Sequence, residues 1–193
     1  MNFEPGYVYH IKDEFFKSVK DDKLMKNKEG NNFRPTYYCF KDKNTLLLWM
    51  IPMSSQYEKY KTIYDKKIEK YGKCVNFVLG KYDKKPAVFL LQNMFPINEN
   101  YLDHIHIKNG NPIPVSPKLQ KEILTKAKTI LKLNTKGVGI LFPDINRIEM
   151  IMLEQLKKQR LPLEQQLHQA KREIEKQDTR LKPILKKKQE IEK

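Results

Sequence analysis

From Thr36 to Ile51 the chain is apolar almost throughout, interrupted by the polar trio Asp42-Lys43-Asn44. Two short apolar runs either side of turn residues predict a β-hairpin, Thr36 to Lys41 against Thr45 to Ile51. The pattern then changes period. Tyr57, Tyr60, Tyr64, Ile68 and Tyr71 recur at helical spacing among Lys and Glu, predicting an amphipathic helix from about Gln56 to Lys70 that ends at Gly72. A second hairpin is expected from Cys74 to Leu79 and Ala87 to Gln92 across a polar turn at residues 81–86. Asn93 to Pro117 carries four prolines and an Asn-Gly step, so it should be mostly loop with a short extended piece near Ile113. Ser116-Pro117 caps and starts a helix with Leu119, Ile123, Ala127, Ile130 and Leu131 on one side, stopping near Asn134. A short strand at Gly137 to Phe142 and a final helix beginning at Ile145 complete a domain of residues 1–156.

From Lys157 the composition turns to Lys, Glu and Gln with sparse aliphatics, marking residues 157–193 as a basic helical extension. A heptad seam runs through positions 167, 170, 174, 177, 181, 184, 188 and 191. Gln177 and Lys188 occupy two of its sites and Pro183 should kink it, which argues against a strong independent coiled coil.

Charge narrows the function. Lys and Arg outnumber Asp and Glu by 38 to 23, a net +15 over 193 residues that favours polyanionic partners. The extension holds 12 Lys or Arg against 6 Asp or Glu, so the domain is strongly basic in its own right. The longest apolar run, Leu46 to Met53, is too short to span a bilayer, and Met1-Asn2-Phe3-Glu4-Pro5 lacks a signal-peptide pattern. A cytoplasmic protein, away from membranes and with nucleic acid as its favoured polyanion, is expected. Cys39 and Cys74 stand alone in apolar runs and read as small buried hydrophobes. The four histidines are scattered, and no metal-ligand motif occurs, so neither metal nor cofactor is expected.

Candidate chemistry gathers where the first hairpin gives way to the helix. Ser55-x-x-Glu58 has the form of a capping box, an ordinary structural device. The same junction of helix-start amides and serine hydroxyls can also hold a phosphate. Arg34, one proline before the first strand, can be brought beside Ser54 by the hairpin, and Lys59 lies one turn into the helix. Tyr37 and Tyr38 should face opposite sides of their strand, so at most one packs inward and the other is left to stack on a base or offer a phenol. His104 and His106 share a face next to Asp103, a pairing suited to general acid or base work.

These residues also carry a resemblance. Asn32-Phe33-Arg34-Pro35-Thr36-Tyr37, Trp49-Met50-Ile51-Pro52-Met53-Ser54-Ser55, Glu58-Lys59-Tyr60 and Gln92-Asn93-Met94-Phe95-Pro96-Ile97 resemble the ToxN/AbiQ/CptN toxins, the protein halves of type III toxin-antitoxin systems. The resemblance covers about residues 5–156 and is closest to the CptN branch. It implies an α+β fold with a compact Kid/MazF-like (SH3-like) antiparallel β-barrel and added helices. It further implies a metal-independent endoribonuclease that cuts cellular mRNA and is inhibited by a repeated pseudoknot RNA antitoxin, in closed protein-RNA assemblies serving phage defence or locus maintenance. Ser54 and Ser55 match the family's Ser/Thr-Ser pair. Arg34 falls at a basic position, while Lys59 is displaced by two residues from the family lysine. Ser54, Ser55, Arg34, Lys59 and Tyr37 are therefore the catalytic candidates; Tyr38, Gln92, Asn93, His104 and His106 are the RNA-contacting ones. The competing reading is a basic RNA-binding or assembly protein without cleavage, which predicts salt-sensitive binding and intact RNA.

Overall fold

In the computed structural model, which describes residues 3–29 and 32–160 together with 165, 167, 168, 171 and 172, the first hairpin is the centre of the sheet. Ahead of it come β1 (Val8–Ile11), α1 (Asp13–Val19), β2 (Lys28–Glu29) and β3 (Asn32–Phe33). The hairpin itself is β4 (Thr36–Lys41) and β5 (Leu48–Ser54), paired antiparallel from Thr36↔Pro52 to Lys41↔Leu48. Its loop is longer than the sequence suggests, because the Asp42 carboxylate accepts the amides of Asn44 (2.8 Å) and Thr45 (2.9 Å) and winds the chain back on itself. After α2 (Tyr57–Tyr71), β6 (Val78–Tyr82) and β7 (Lys85–Phe89) form the second hairpin. Its turn is only Asp83-Lys84, with φ of 50° and 63°, the paired left-handed conformation that matches strand twist.

The expectation of a long loop at 93–117 is overturned. This stretch supplies β8 (Phe95–Ile97), β9 (Leu102–Ile105), β10 (Ile107–Lys108) and β11 (Asn111–Pro112) before α3 (Pro117–Asn134). Here long-range pairing outweighs the local proline signal: β8 adds to β5, and β9 adds to β1. The expected strand at Gly137 to Phe142 is absent. Instead the Val138 amide donates to Leu133 O (3.0 Å) and closes the end of α3, with Gly137 in the left-handed region.

The main sheet has seven strands in the order β6-β7-β5-β4-β1-β9, with β8 also on β5. It is an open path: among the described residues β6 and β9 do not pair, so the implied closed barrel is not formed along this sheet. The coarser α+β expectation holds. One edge of β5 changes partner midway, from β8 at Leu48–Met50 to β7 at Met53–Ser54. Pro52, which has no N–H to give, falls at that seam.

Helix α3 lays Leu119, Ile123, Ala127 and Ile130 into the core, as its spacing predicts. Helix α2 has no fully buried residue; Tyr57, Tyr60, Ile63 and Tyr64 pack half-buried against a cluster of Cys74, Phe77, Val88 and Leu90. Gly72, at φ 66°, ends α2 by returning its amide to Ile68 O. Cys39 and Cys74 are buried free thiols. A helix, α4, spans 145–160. The chain divides into two compact units, Met1–Met152 and Leu153–Lys193. The heptad seam beyond Leu167 and the kink at Pro183 lie outside the described residues. No helix among the described residues is long and apolar enough to cross a membrane.

Candidate active site

A cleft of about 450 Å³ opens beside the β5 exit, lined among others by Arg34, Ser54, Ser55, Asp83, Lys85 and His106. The β4–β5 register places Arg34 next to Met53, and the backbone fastens it there. The Arg34 amide donates to Asn27 O (2.6 Å), while Nη1 donates to Met53 O (3.0 Å) and Nε to Lys26 O (3.1 Å). The guanidinium thus ties the segment before β2 to the end of β5, on a residue that lines the same cleft as the serine pair.

The capping box is not formed as its spacing suggests. The N-cap of α2 is Gln56, with no side-chain cap bond, and the helix starts at Tyr57. The chain turns two residues earlier. Ser54 Oγ accepts the Gln56 amide (3.2 Å), and Ser55 O accepts the Tyr57 amide (2.8 Å). Ser55 keeps an exposed position on the cleft wall.

Several candidates are placed elsewhere. Tyr37 and Tyr38 are both buried, at 1% and 2% exposure, contrary to the expectation that one would be free. The reason is that both faces of β4 are covered: Tyr37 packs edge-on against Phe89, and Tyr38 against Tyr9. Burial drives both phenols upward, Tyr38 to about 12. Neither can stack on a base or exchange a proton near neutrality. Lys59 is exposed, its ammonium 5.9 Å from the Tyr60 ring, and it does not line the cleft. Asn93 is buried, and Gln92 uses its backbone to accept from Phe142 and donate to Asn76 O. Lys85, which follows the tight β6–β7 turn, is the second cation of the cleft wall. Only the fold reveals it, since the polar turn at 81–86 contains three lysines of equal standing.

The histidines form a group that sequence spacing concealed. Pairing of β1 with β9 sets Tyr9 opposite Ile105, which brings His10 between His104 and His106. The His10 and His104 rings stack at 4.5 Å, and His10 Nε2 lies 3.1 Å from His106 Nδ1. His104 Nδ1 is 2.9 Å from the Asp103 carboxylate on an exposed surface, so the predicted carboxylate partnership belongs to His104, outside the cleft lining. His106 lines the cleft. Burial, reinforced by the neighbouring imidazoles, lowers His10 to about 4, and burial likewise lowers His106. Asp83, which would draw His106 upward, is itself ion-paired with Lys108. Tyr82, whose hydroxyl donates to Ile113 O, closes the same side. Among the described residues no group of His, Cys, Asp or Glu is arranged to hold a metal ion.

The fold and this cleft define an α+β protein with an open, partner-switching antiparallel sheet and a basic, serine-bearing cleft where the central strand meets a helix. Two solved structures share this fold. AbiQ, a lactococcal anti-phage endoribonuclease of a type III system, superposes with a TM-score of 0.60 at 15% identity, over 78% of this chain and 98% of that one. A chain from a bacterial type III system, described for selective toxin inhibition by a non-coding RNA pseudoknot, gives 0.54 at 16% identity with the same coverage. No family model matches the sequence. No curated protein matches it either.

Proposed function

We propose that this chain is the toxin of a type III toxin-antitoxin system, a metal-independent endoribonuclease that acts in the cytoplasm and is restrained by a pseudoknot RNA. The supporting observation is the convergence of Arg34, Ser54, Ser55, Lys85 and His106 on one cleft, within a fold shared with AbiQ. RNA carries its own nucleophile. The 2′-oxygen attacks the adjacent phosphorus, the bond from phosphorus to the 5′-oxygen breaks, the 2′-hydroxyl proton passes to water and the leaving oxygen takes one from water. The products are a 2′,3′-cyclic phosphate and a 5′-hydroxyl. The protein aligns the three reacting atoms and stabilises charge on the phosphoryl oxygens. Arg34 and Lys85 supply positive charge, and the Ser54 and Ser55 hydroxyls orient the phosphate; the buried Tyr37 and the outlying Lys59 have no part in the step.

The Kid/MazF-like relationship is carried in this reading by the sequence resemblance, with an open sheet in place of a closed barrel. Placement in the CptN branch rests on the sequence motifs. Cellular mRNA as substrate, closed protein-RNA assembly and a role in phage defence follow from the same reading.

Incubating the purified chain with RNA in excess chelator is the direct test. Cyclic-phosphate ends are expected, and Ser54→Ala/Ser55→Ala should leave the RNA intact. Salt-sensitive binding without any cleavage would replace this reading with the RNA-binding one.

A further inference from the structure

The cleft contains a histidine whose protonation state is dictated by a second histidine behind it. His10 Nδ1 is buried and has no hydrogen-bond partner among the described residues. A buried N–H without an acceptor is rarer and more costly than a buried lone pair without a donor, so the proton of neutral His10 belongs on Nε2. That nitrogen faces His106 Nδ1 at 3.1 Å. His10 therefore donates, His106 Nδ1 accepts, and the proton of His106 is left on Nε2, the ring nitrogen not engaged by His10, on a residue that lines the cleft.

Adding a second proton to His106 would put N–H on both sides of the 3.1 Å contact. His10 could relieve the clash only by moving its proton to the buried, partnerless Nδ1. The pair thus opposes an imidazolium at His106. Surrounding charges do not reverse this. Asp83 from the β6–β7 turn is engaged by Lys108 of β10, Asp103 is engaged by His104, and the Tyr82 phenol stays neutral with burial holding it near 12. The Lys108 ammonium adds positive potential that works against a charged His106.

We propose that His106 acts on the scissile phosphate as a neutral imidazole, donating a hydrogen bond from Nε2 to a phosphoryl oxygen, and that His10 is the positioning residue that holds this tautomer. This inference rests on the endoribonuclease reading for its substrate, and it assigns no proton transfer to either ring. A fixed neutral donor stabilises negative charge that grows on the phosphoryl oxygens in the transition state, and does so without reorganising.

The test pairs spectroscopy with cleavage, on the full chain. In ¹⁵N-histidine spectra at neutral pH, His106 should show a bare Nδ1 and a protonated Nε2, and inorganic phosphate should shift the Nε2 signal. His10→Phe keeps an aromatic ring against Phe33 and His104 but removes the donor, so His106 should lose its single tautomer; His10→Gln, which retains an N–H, should preserve it. In cleavage assays His106→Ala should lose on the order of 10²-fold in rate, and His106→Gln, with an amide donor at similar reach, should recover most of it. An imidazolium or an Nδ1-protonated His106, or His106→Gln as slow as His106→Ala, would overturn the proposal. Wild-type chain that leaves RNA uncut would instead defeat the endoribonuclease reading, and the tautomer and the phosphate shift would still decide the donor assignment.

Discussion

Acidification should loosen this protein through His10, and the size of the effect follows from its surroundings. In the unfolded chain His10 titrates near 6.5; in the fold, burial first and then His104 and His106 hold it at about 4, against a weaker pull from Asp103. The unfolded chain therefore binds the extra proton between these values. The contribution of neutral His10 to stability is complete above about pH 6.5, falls as pH drops toward 4, and changes no further below that. At about pH 5 the two titrations differ by about 2 kcal/mol before screening. His10 is only half-buried, so solvent screening reduces this to about 1 kcal/mol. Trp49, the single tryptophan, is buried in β5 and reports unfolding of the sheet by fluorescence. Urea curves at about pH 7.5 and about pH 5 should show wild type losing about 1 kcal/mol more than His10→Gln. His106 is lowered in the same direction and is present in both chains, so the difference reports His10 and its coupling to that neighbour. Equal losses in the two chains would refute the burial of a neutral imidazole at this position.

Three other substitutions probe the frame around the cleft. Arg34→Ala removes the donors to Met53 O and Lys26 O and should lower stability by about 1–2 kcal/mol, measurable as a melting temperature lower by a few degrees; an unchanged melt would mean the guanidinium does not tie these two segments together. Ile123→Ala, at a fully buried position on α3, should cost about 2–5 kcal/mol, whereas Ile68→Ala on the exposed side of α2 should stay within about 1 kcal/mol in the same urea assay. Gly72→Ala meets no atom within 4 Å, so its penalty of about 1 kcal/mol should come from the left-handed backbone alone, and Gly72→Asn should recover part of it.

What could be read in the sequence was what the chain does locally. Helices α2 and α3 and the β4–β5 hairpin declare themselves in period and punctuation, and Pro117 and Gly72 mark ends the structure respects. The Arg34–Ser54 neighbourhood was legible for the same reason, since a hairpin brings its two open ends together whatever the rest of the chain does. Residues whose position depends on distant pairing were not legible. His10 and His106 meet across 96 positions, through a β1–β9 contact that neither strand announces. Tyr37 and Tyr38 alternate as a strand requires, but alternation says which face a side chain takes and not whether that face meets water. Here both faces are covered.

The cleft follows from the change of partner along β5. While β5 is flanked by β4 and β8, its backbone is satisfied on both edges and both faces can be packed. At Pro52 the second edge passes from β8 to the chain of β7, which belongs to a separate hairpin: the Pro52 carbonyl accepts from Leu90 N (3.0 Å), but the ring has no N–H with which to complete the pair. A gap lies beside the last residues of β5, where this change of partner is made. That gap must be bounded by whatever the diverging elements carry at their ends: Phe33 and Arg34 ahead of β4, the Asp83 turn of the second hairpin, and His106 between β9 and β10. The Lys108–Asp83 ion pair and the Tyr82 bond to Ile113 O then fix the second hairpin to the β10–β11 hairpin. Ser54 and Ser55 stand at the head of this gap because the strand ends there, so the serine pair, the arginine and the histidine share a site through one break in the sheet. Supplying the missing N–H at residue 52 would act on this change of partner directly. Pro52→Val, with an N–H to offer and a strand-favouring side chain, should lose cleavage with little loss of stability to urea, and full activity in that variant would show that the break does not shape the site.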